Sequence, residues 1–125
     1  MDSKNIFGQP LIACSHKPLT GYFRDGCCNT DNTDLGVHTV CVIATEAFLT
    51  FSKSIGNDLS TPLPHYSFPG VKVGDKWCLC AVRFKEAHEN NAAPKVLLEA
   101  TNEKTLEIVD MEILIQHAFY IDKVL

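Results

Sequence analysis

Positive charge is in short supply in this sequence. Eleven Lys and Arg face fifteen Asp and Glu, giving a net charge of -4 and a pI near 5.6. Without a basic field to attract phosphate backbones, nucleic-acid binding is excluded as a main role. Long apolar runs are missing too: no segment approaches the roughly 20 apolar residues of a membrane-spanning helix. The opening residues Met1-Asp2-Ser3-Lys4-Asn5 are polar and lead into no signal-peptide core. We therefore expect no membrane association and a cytoplasmic location, where thiols stay reduced. There are no internal repeats and no low-complexity tracts. The signatures H-E-x-x-H and G-x-S-x-G, the P-loop and the dinucleotide fingerprint are absent. So is the C-x-x-C turn of common structural zinc sites.

What remains is an ordinary globular composition with one excess. Apolar residues make up 46% and charged residues 21% of 125 residues, enough for one domain with its own core. Six cysteines stand in the chain: Cys14, Cys27, Cys28, Cys41, Cys78 and Cys80. An even count would allow three disulfides in a secreted protein. With a sufficient core and a reducing compartment, free thiols or metal ligands are the expectation instead.

The pattern predicts an α+β fold: a compact single domain, a small mixed sheet, about three helices and two long ordered loops. Residues 1–35, rich in Gly, Pro, Asn, Asp and Thr, form the first loop. VHTVCVIA (37–44) is a strand apolar on both faces, hence central. Thr45 caps a helix carrying Phe48, Phe51 and Ile55, stopped by Gly56. Residues 57–75 form the second loop. KWCLCAVRF (76–84) is a second strand, followed by a short helix from Lys85 to Asn90, and KVLLEA is a third strand. Over 101–109, Asn102-Glu103-Lys104 turns a hairpin into LEIV, with a helix capped at Thr101 as the alternative. Asp110 caps a last helix, MEILIQHAF.

The densest chemistry lies in Arg24-Asp25-Gly26-Cys27-Cys28-Asn29-Thr30. Asp25-Gly26 turns the chain, and Arg24 would favour a thiolate at Cys27 or Cys28. Adjacent cysteines point apart, so they do not chelate one ion together. Equally, one of them is a small buried hydrophobe. Cys78 and Cys80 share one strand face and could be two ligands of a soft metal such as zinc, or simply core. His38 and Cys41 face opposite ways on a regular strand and cannot meet at one ion without a bulge. Cys27 or Cys28 with His38 would assemble a thiol hydrolase pair. In the second loop Asn57, Asp58, Ser60 and Thr61 could line a polar pocket, or bond only to one another. Lys76 or Arg83 could bind an anion.

The motifs RDGCCNT, G-x-HTVC, FLTFSKSIGNDLSTP, FPG, GDKWCLCAVRFKEA, AP-x-V-x-LEAT and EKTLEIV together resemble one family. It comprises small, mostly bacterial proteins classed as a domain of unknown function. The likeness runs from about Asn5 to Ala118. Val73 replaces a usual proline and Phe84 a usual tryptophan. The resemblance implies a compact α and β domain and transfers no activity and no functional residues.

The leading expectation is a small-ligand or soft-metal domain, its site where the RDGCC loop, the GNDLSTP loop and the CLC strand converge. Arg24, Asp25, Asn57, Asp58, Ser60 and Thr61 would contact the ligand. Cys27, Cys28, Cys78 and Cys80 would hold a metal, zinc if any. The alternatives are a thiol enzyme using Cys27 or Cys28, and a homodimeric interaction module whose cysteines are only core.

Overall fold

The computed structural model describes residues 3–119. Strand β1 (His38–Ile43) lies between β2 (Lys76–Cys80) and β3 (Lys95–Val96), antiparallel to both. The three-stranded sheet is thus antiparallel, and an isolated parallel bridge outside it joins Val96 to Ala118. Thr39, Val40, Cys41 and Val42 are all buried, as expected of a central strand rich in β-branched residues.

Helix α1 (Glu46–Ser54) follows directly, and the Thr45 side chain accepts a hydrogen bond from the Phe48 N–H at its start. Gly56, with φ +90°, takes the left-handed turn just beyond its end. Helix α2 (Ala81–Glu89) and helix α3 (Met111–Gln116) complete the three α-helices among the described residues. One side of the sheet presents Val40, Val42, Trp77 and Leu79 to a core containing Phe48, Phe84 and Leu114. The other side carries Cys41 and Cys78, packed with Cys14, Cys28 and Ala100.

Three expectations are corrected. The strand expected over 76–84 ends at Cys80, and α2 begins at Ala81 rather than Lys85. Ala81, Phe84 and Ala87 recur at helical spacing and all are buried, which outweighs the strand alternation of Ala81-Val82-Arg83-Phe84. The third strand keeps only Lys95–Val96, and its remainder, Leu98–Ala100, winds into a 3-10 turn. No hairpin forms over 101–109: Glu103–Glu107 is a 3-10 turn, and the Asn102 side chain accepts from the Lys104 N–H at its start. That turn buries Thr105, whose hydroxyl donates to Thr39 Oγ1 at 2.7 Å, and leaves Leu106 exposed. A polar contact thus overrides the apolar alternation of Leu106 and Ile108.

The first loop is irregular but its buried polar groups find partners. Buried Asn5 donates to the Glu99 carbonyl and accepts from the N–H groups of Phe7 and Gln9. Asn102 donates to the Cys28 carbonyl at 3.1 Å. The loop is thereby fastened to the segment that follows β3.

Candidate functional site

Two groups of reactive side chains occupy adjacent parts of the fold. The first is a sulfur cluster behind the sheet. Cys14–Cys41 and Cys28–Cys78 are disulfides, so the expectation of free thiols is corrected for four of the six cysteines. The four residues are between 0 and 5% exposed and pack as one cluster. The Sγ atoms of Cys14, Cys28 and Cys78 all lie within 4.8 Å of one another, close enough to share one metal ion. Cys27 and Cys80, expected among the ligands, are instead the free and half-buried thiols. Cys27 and Cys28 point apart as neighbours do, one toward the cluster and one away.

The second group lines a cleft of about 480 Å³. Gly21, Tyr22 and Arg24 come from the first loop, Asn57 and Leu59 from the second, Trp77 to Cys80 from β2, and His38 and Arg83 complete it. The three segments expected to converge do so here. The lining includes two arginines and a histidine and no carboxylate among the described residues, although the whole chain is acidic. Arg24 lies over the Trp77 ring at 5.3 Å and donates to the Gly21 carbonyl at 2.5 Å. The stack and the hydrogen bond together hold its guanidinium in place. Arg83 reaches Glu86 at 3.2 Å on the exposed side of α2.

His38 is the most constrained of these residues. Its Nδ1 lies 2.6 Å from Oδ1 of Asp34, and its backbone N–H donates to Oδ2 of the same carboxylate at 2.9 Å. Thr30 donates to Oδ2 as well, at 3.0 Å. Burial is the largest single influence on the Asp34 carboxyl and raises its pKa. The hydrogen bonds from His38, the His38 charge and the Thr30 hydroxyl together outweigh it and hold the carboxyl below the usual range. Ionised Asp34 only accepts, so Nδ1 of His38 is the donor; in the neutral form of the ring Nε2 then carries an open lone pair. Tyr22 stacks on the ring at 6.2 Å and 14°. On another side is Gly36, where an added Cβ would fall 2.6 Å from His38 Cε1, so only glycine lets the ring sit there.

Val37, between Gly36 and His38, has φ +49°, a left-handed conformation costly for a β-branched residue. It is held by bonds from the N–H groups of Thr39 and Ala81 to its carbonyl. The pairing register shifts between His38 and Val40 and leaves His38 the cross-strand partner of Cys80. Cys80 is at the same time the N-cap residue of α2. His38 and Cys41 therefore go to different sites, His38 to the cleft and Cys41 to the sulfur cluster.

Several expected residues lie elsewhere. Asp25 is consumed inside its own turn, accepting from the Cys27 N–H and from the Asn29 amide. The thiol of Cys27 is pushed up by burial and then by the Asp25 charge, opposite to the lowering expected from Arg24. Asp58 bonds to the N–H and hydroxyl groups of Ser60 and Thr61. Led by the Thr61 hydroxyl, these bonds bring its carboxyl down to about 2. Of that loop Asn57 and Leu59 face the cleft, while Asp58, Ser60 and Thr61 bond among themselves. Tyr22, Trp77 and Asp34 were not singled out beforehand. Asp34 stands four residues before His38 across a glycine turn, and that spacing is the signal that was there to read. His88 and His117 bond each other at 2.9 Å and line neither site.

The family model described as "Uncharacterized protein conserved in bacteria (DUF2237)" matches residues 4–118, and the chain belongs to that family. No curated protein matches it.

Proposed function

We propose that the chain binds a small anion, a carboxylate or a phosphate, in the cleft between the two loops and β2. The observation that carries this reading is the lining: Arg24 and Arg83 converge on a space from which carboxylates of the described residues are absent. Its volume suits a small molecule. Trp77 and Leu79 supply apolar wall, and Asn57 a neutral polar contact. The N-terminus of α2, nine residues long, adds N–H dipoles that favour negative charge. An interaction module with cysteines only in its core has no use for such a convergence. The cytoplasm, with its small anionic metabolites, is the compartment this reading takes.

Trp77 is the only tryptophan in the chain, so its fluorescence reports on the cleft. Titration with inorganic phosphate and with benzoate should give a saturable change for one of them. Arg24→Ala and Arg83→Ala should each weaken that binding by about tenfold to a hundredfold, the worth of one charge-assisted hydrogen bond. A response that is absent for both probes, or unchanged in both variants, would sink the proposal.

A second reading is thiol chemistry at Cys80, in place of Cys27 or Cys28. What favours it is a single arrangement: Cys80 is paired across the sheet with His38, whose Nδ1 is anchored to Asp34. His38 Nε2 is then free to take a proton from the thiol. At neutral pH iodoacetamide should label Cys80 at least about tenfold faster than Cys27, as read by peptide mass spectrometry. Equal and slow labelling of both thiols would count against it.

A further inference from the structure

The geometry points to a second site, which shares only Cys78 with the cleft lining: in the reduced chain, Cys14, Cys28, Cys41 and Cys78 form a tetrathiolate site for a soft divalent metal such as zinc. This goes beyond the cleft reading and uses neither of the free thiols. The first observation is that sulfurs of different disulfides are already neighbours. Cys14 belongs to one pair and Cys28 and Cys78 to the other, yet their three Sγ atoms lie within 4.8 Å of one another. A tetrahedral zinc–sulfur site with bonds of about 2.3 Å needs sulfurs about 3.8 Å apart. Once a disulfide is cut, its two sulfurs need to separate by only about 1.7 Å to meet that spacing. A movement of that size is on the scale of a χ1 rotation.

The second observation is that the backbone at each of the four positions is held by bonds that do not involve sulfur. Cys41 and Cys78 are register partners across β1 and β2. The Cys41 N–H donates to Thr101 Oγ1 at 3.2 Å and the Cys78 N–H to Thr20 Oγ1 at 2.9 Å. The Cys14 N–H donates to the Gly26 carbonyl at 2.8 Å, and the Cys28 carbonyl accepts from Asn102. Cutting the disulfides therefore leaves four thiols in one buried cluster, three of them already within 4.8 Å of one another and Cys41 brought next to Cys14 by their former bond. Four sulfur ligands suit zinc over hard cations such as magnesium.

The chemistry balances with a dithiol as reductant. Two dithiol molecules give four electrons and four protons to two disulfides, yielding four cysteine thiols and two oxidised dithiols. Binding one divalent ion to four thiolates then releases four protons to solvent. Each sulfur is either bonded to sulfur or to the metal, so the disulfide and metal-bound forms exclude each other. In a reducing compartment the metal-bound form is favoured.

Cobalt is the probe, because tetrahedral cobalt–thiolate coordination absorbs visible light. The full chain, reduced under nitrogen and freed of reductant, should bind one cobalt per chain with that absorption, and zinc should displace it. The oxidised chain should bind none. Cys27→Ser and Cys80→Ser should keep the absorption, and Cys14→Ser should lose it or weaken binding by about a hundredfold or more. Because Cys14→Ser could misfold, alkylation of the wild-type chain supplies a second readout. Zinc should protect Cys14, Cys28, Cys41 and Cys78 together, leaving Cys27 and Cys80 labelled. Absence of cobalt absorption in the reduced chain overturns the inference, as does zinc protection that falls on Cys27 or Cys80 instead. Anion binding in the cleft is read separately from Trp77, so either proposal can fail without the other.

Discussion

Replacing Cys28 and Cys78 together by alanine should lower the unfolding free energy of the oxidised protein by about 4 kcal/mol. The bond between them closes a loop with a sequence separation of 50, against 27 for Cys14–Cys41. In the chain-entropy account, a cross-link stabilises by removing conformations from the unfolded chain, and more so for the longer loop. The same argument gives about 3.5 kcal/mol for the shorter one. Either value is a large part of the roughly 5–15 kcal/mol available to a domain. The double substitution is the informative one, because removing a single partner leaves a thiol free to exchange with its neighbours in the cluster. Urea unfolding under non-reducing conditions reads the effect as a lower midpoint. The slope against urea should rise, since the unfolded variant is less compact. Coincident midpoints for variant and wild type would mean that the Cys28–Cys78 bond contributes nothing.

The parts of the fold legible in the sequence are those governed by near neighbours. β1 announces itself through a dense run of β-branched residues bounded by Gly36, and α1 through a capping threonine, an apolar spacing and a terminal glycine. The parts that were not legible depend on distant partners. Thr105 turns inward for Thr39, 66 residues away, and Asn102 reaches Cys28, 74 residues away. Over 101–109 the local alternation of Leu106 and Ile108 therefore gave the wrong structure. The boundary at Cys80 failed differently. Ala81-Val82-Arg83-Phe84 satisfies both a strand and a helix period, and only the core against which Phe84 packs decides between them.

The site divides in the same way. That the two polar loops and the CLC strand hold candidate site residues was legible, because thiol, carboxylate, amide and guanidinium groups cluster there. Which side chains point into the meeting place was not. Asp58 satisfies itself with Ser60 and Thr61, whereas Arg24 is turned inward by Trp77, a distant residue of β2. The pairing of Cys14 and Cys41 carried no local trace at all. It depends on the first loop wrapping back onto the sheet, a choice made by the entire core.

Asp34→Asn should separate what Asp34 does for the fold from what it does for His38. The Asp34 side chain is fully buried and takes three hydrogen bonds, from Thr30, the His38 N–H and His38 Nδ1. Asp34→Ala removes all three and should cost about 2–4 kcal/mol, counting the buried donors left without partners. Asparagine keeps the shape, and its carbonyl can still accept from Thr30 and the His38 N–H. Its amide then faces Nδ1 and donates to it, so the neutral ring must carry its proton on Nε2, the atom that would otherwise accept from the thiol. The Asp34→Asn protein should therefore stay folded, with a loss of about 1–2 kcal/mol, while labelling of Cys80 by iodoacetamide slows by about tenfold or more. A purely structural Asp34 would leave the labelling rate unchanged in the folded variant. The pH dependence has a definite sign. Asp34 has a folded pKa below its unfolded one, so its contribution is full above about pH 4 and is lost as pH falls through the folded value. The acid limb of the wild-type urea midpoint should therefore be steeper than that of Asp34→Asn, which has no carboxylate there to protonate. Parallel acid limbs would show that Asp34 is not held ionised by His38 and Thr30, and the route from Asp34 through His38 to Cys80 would fall with it.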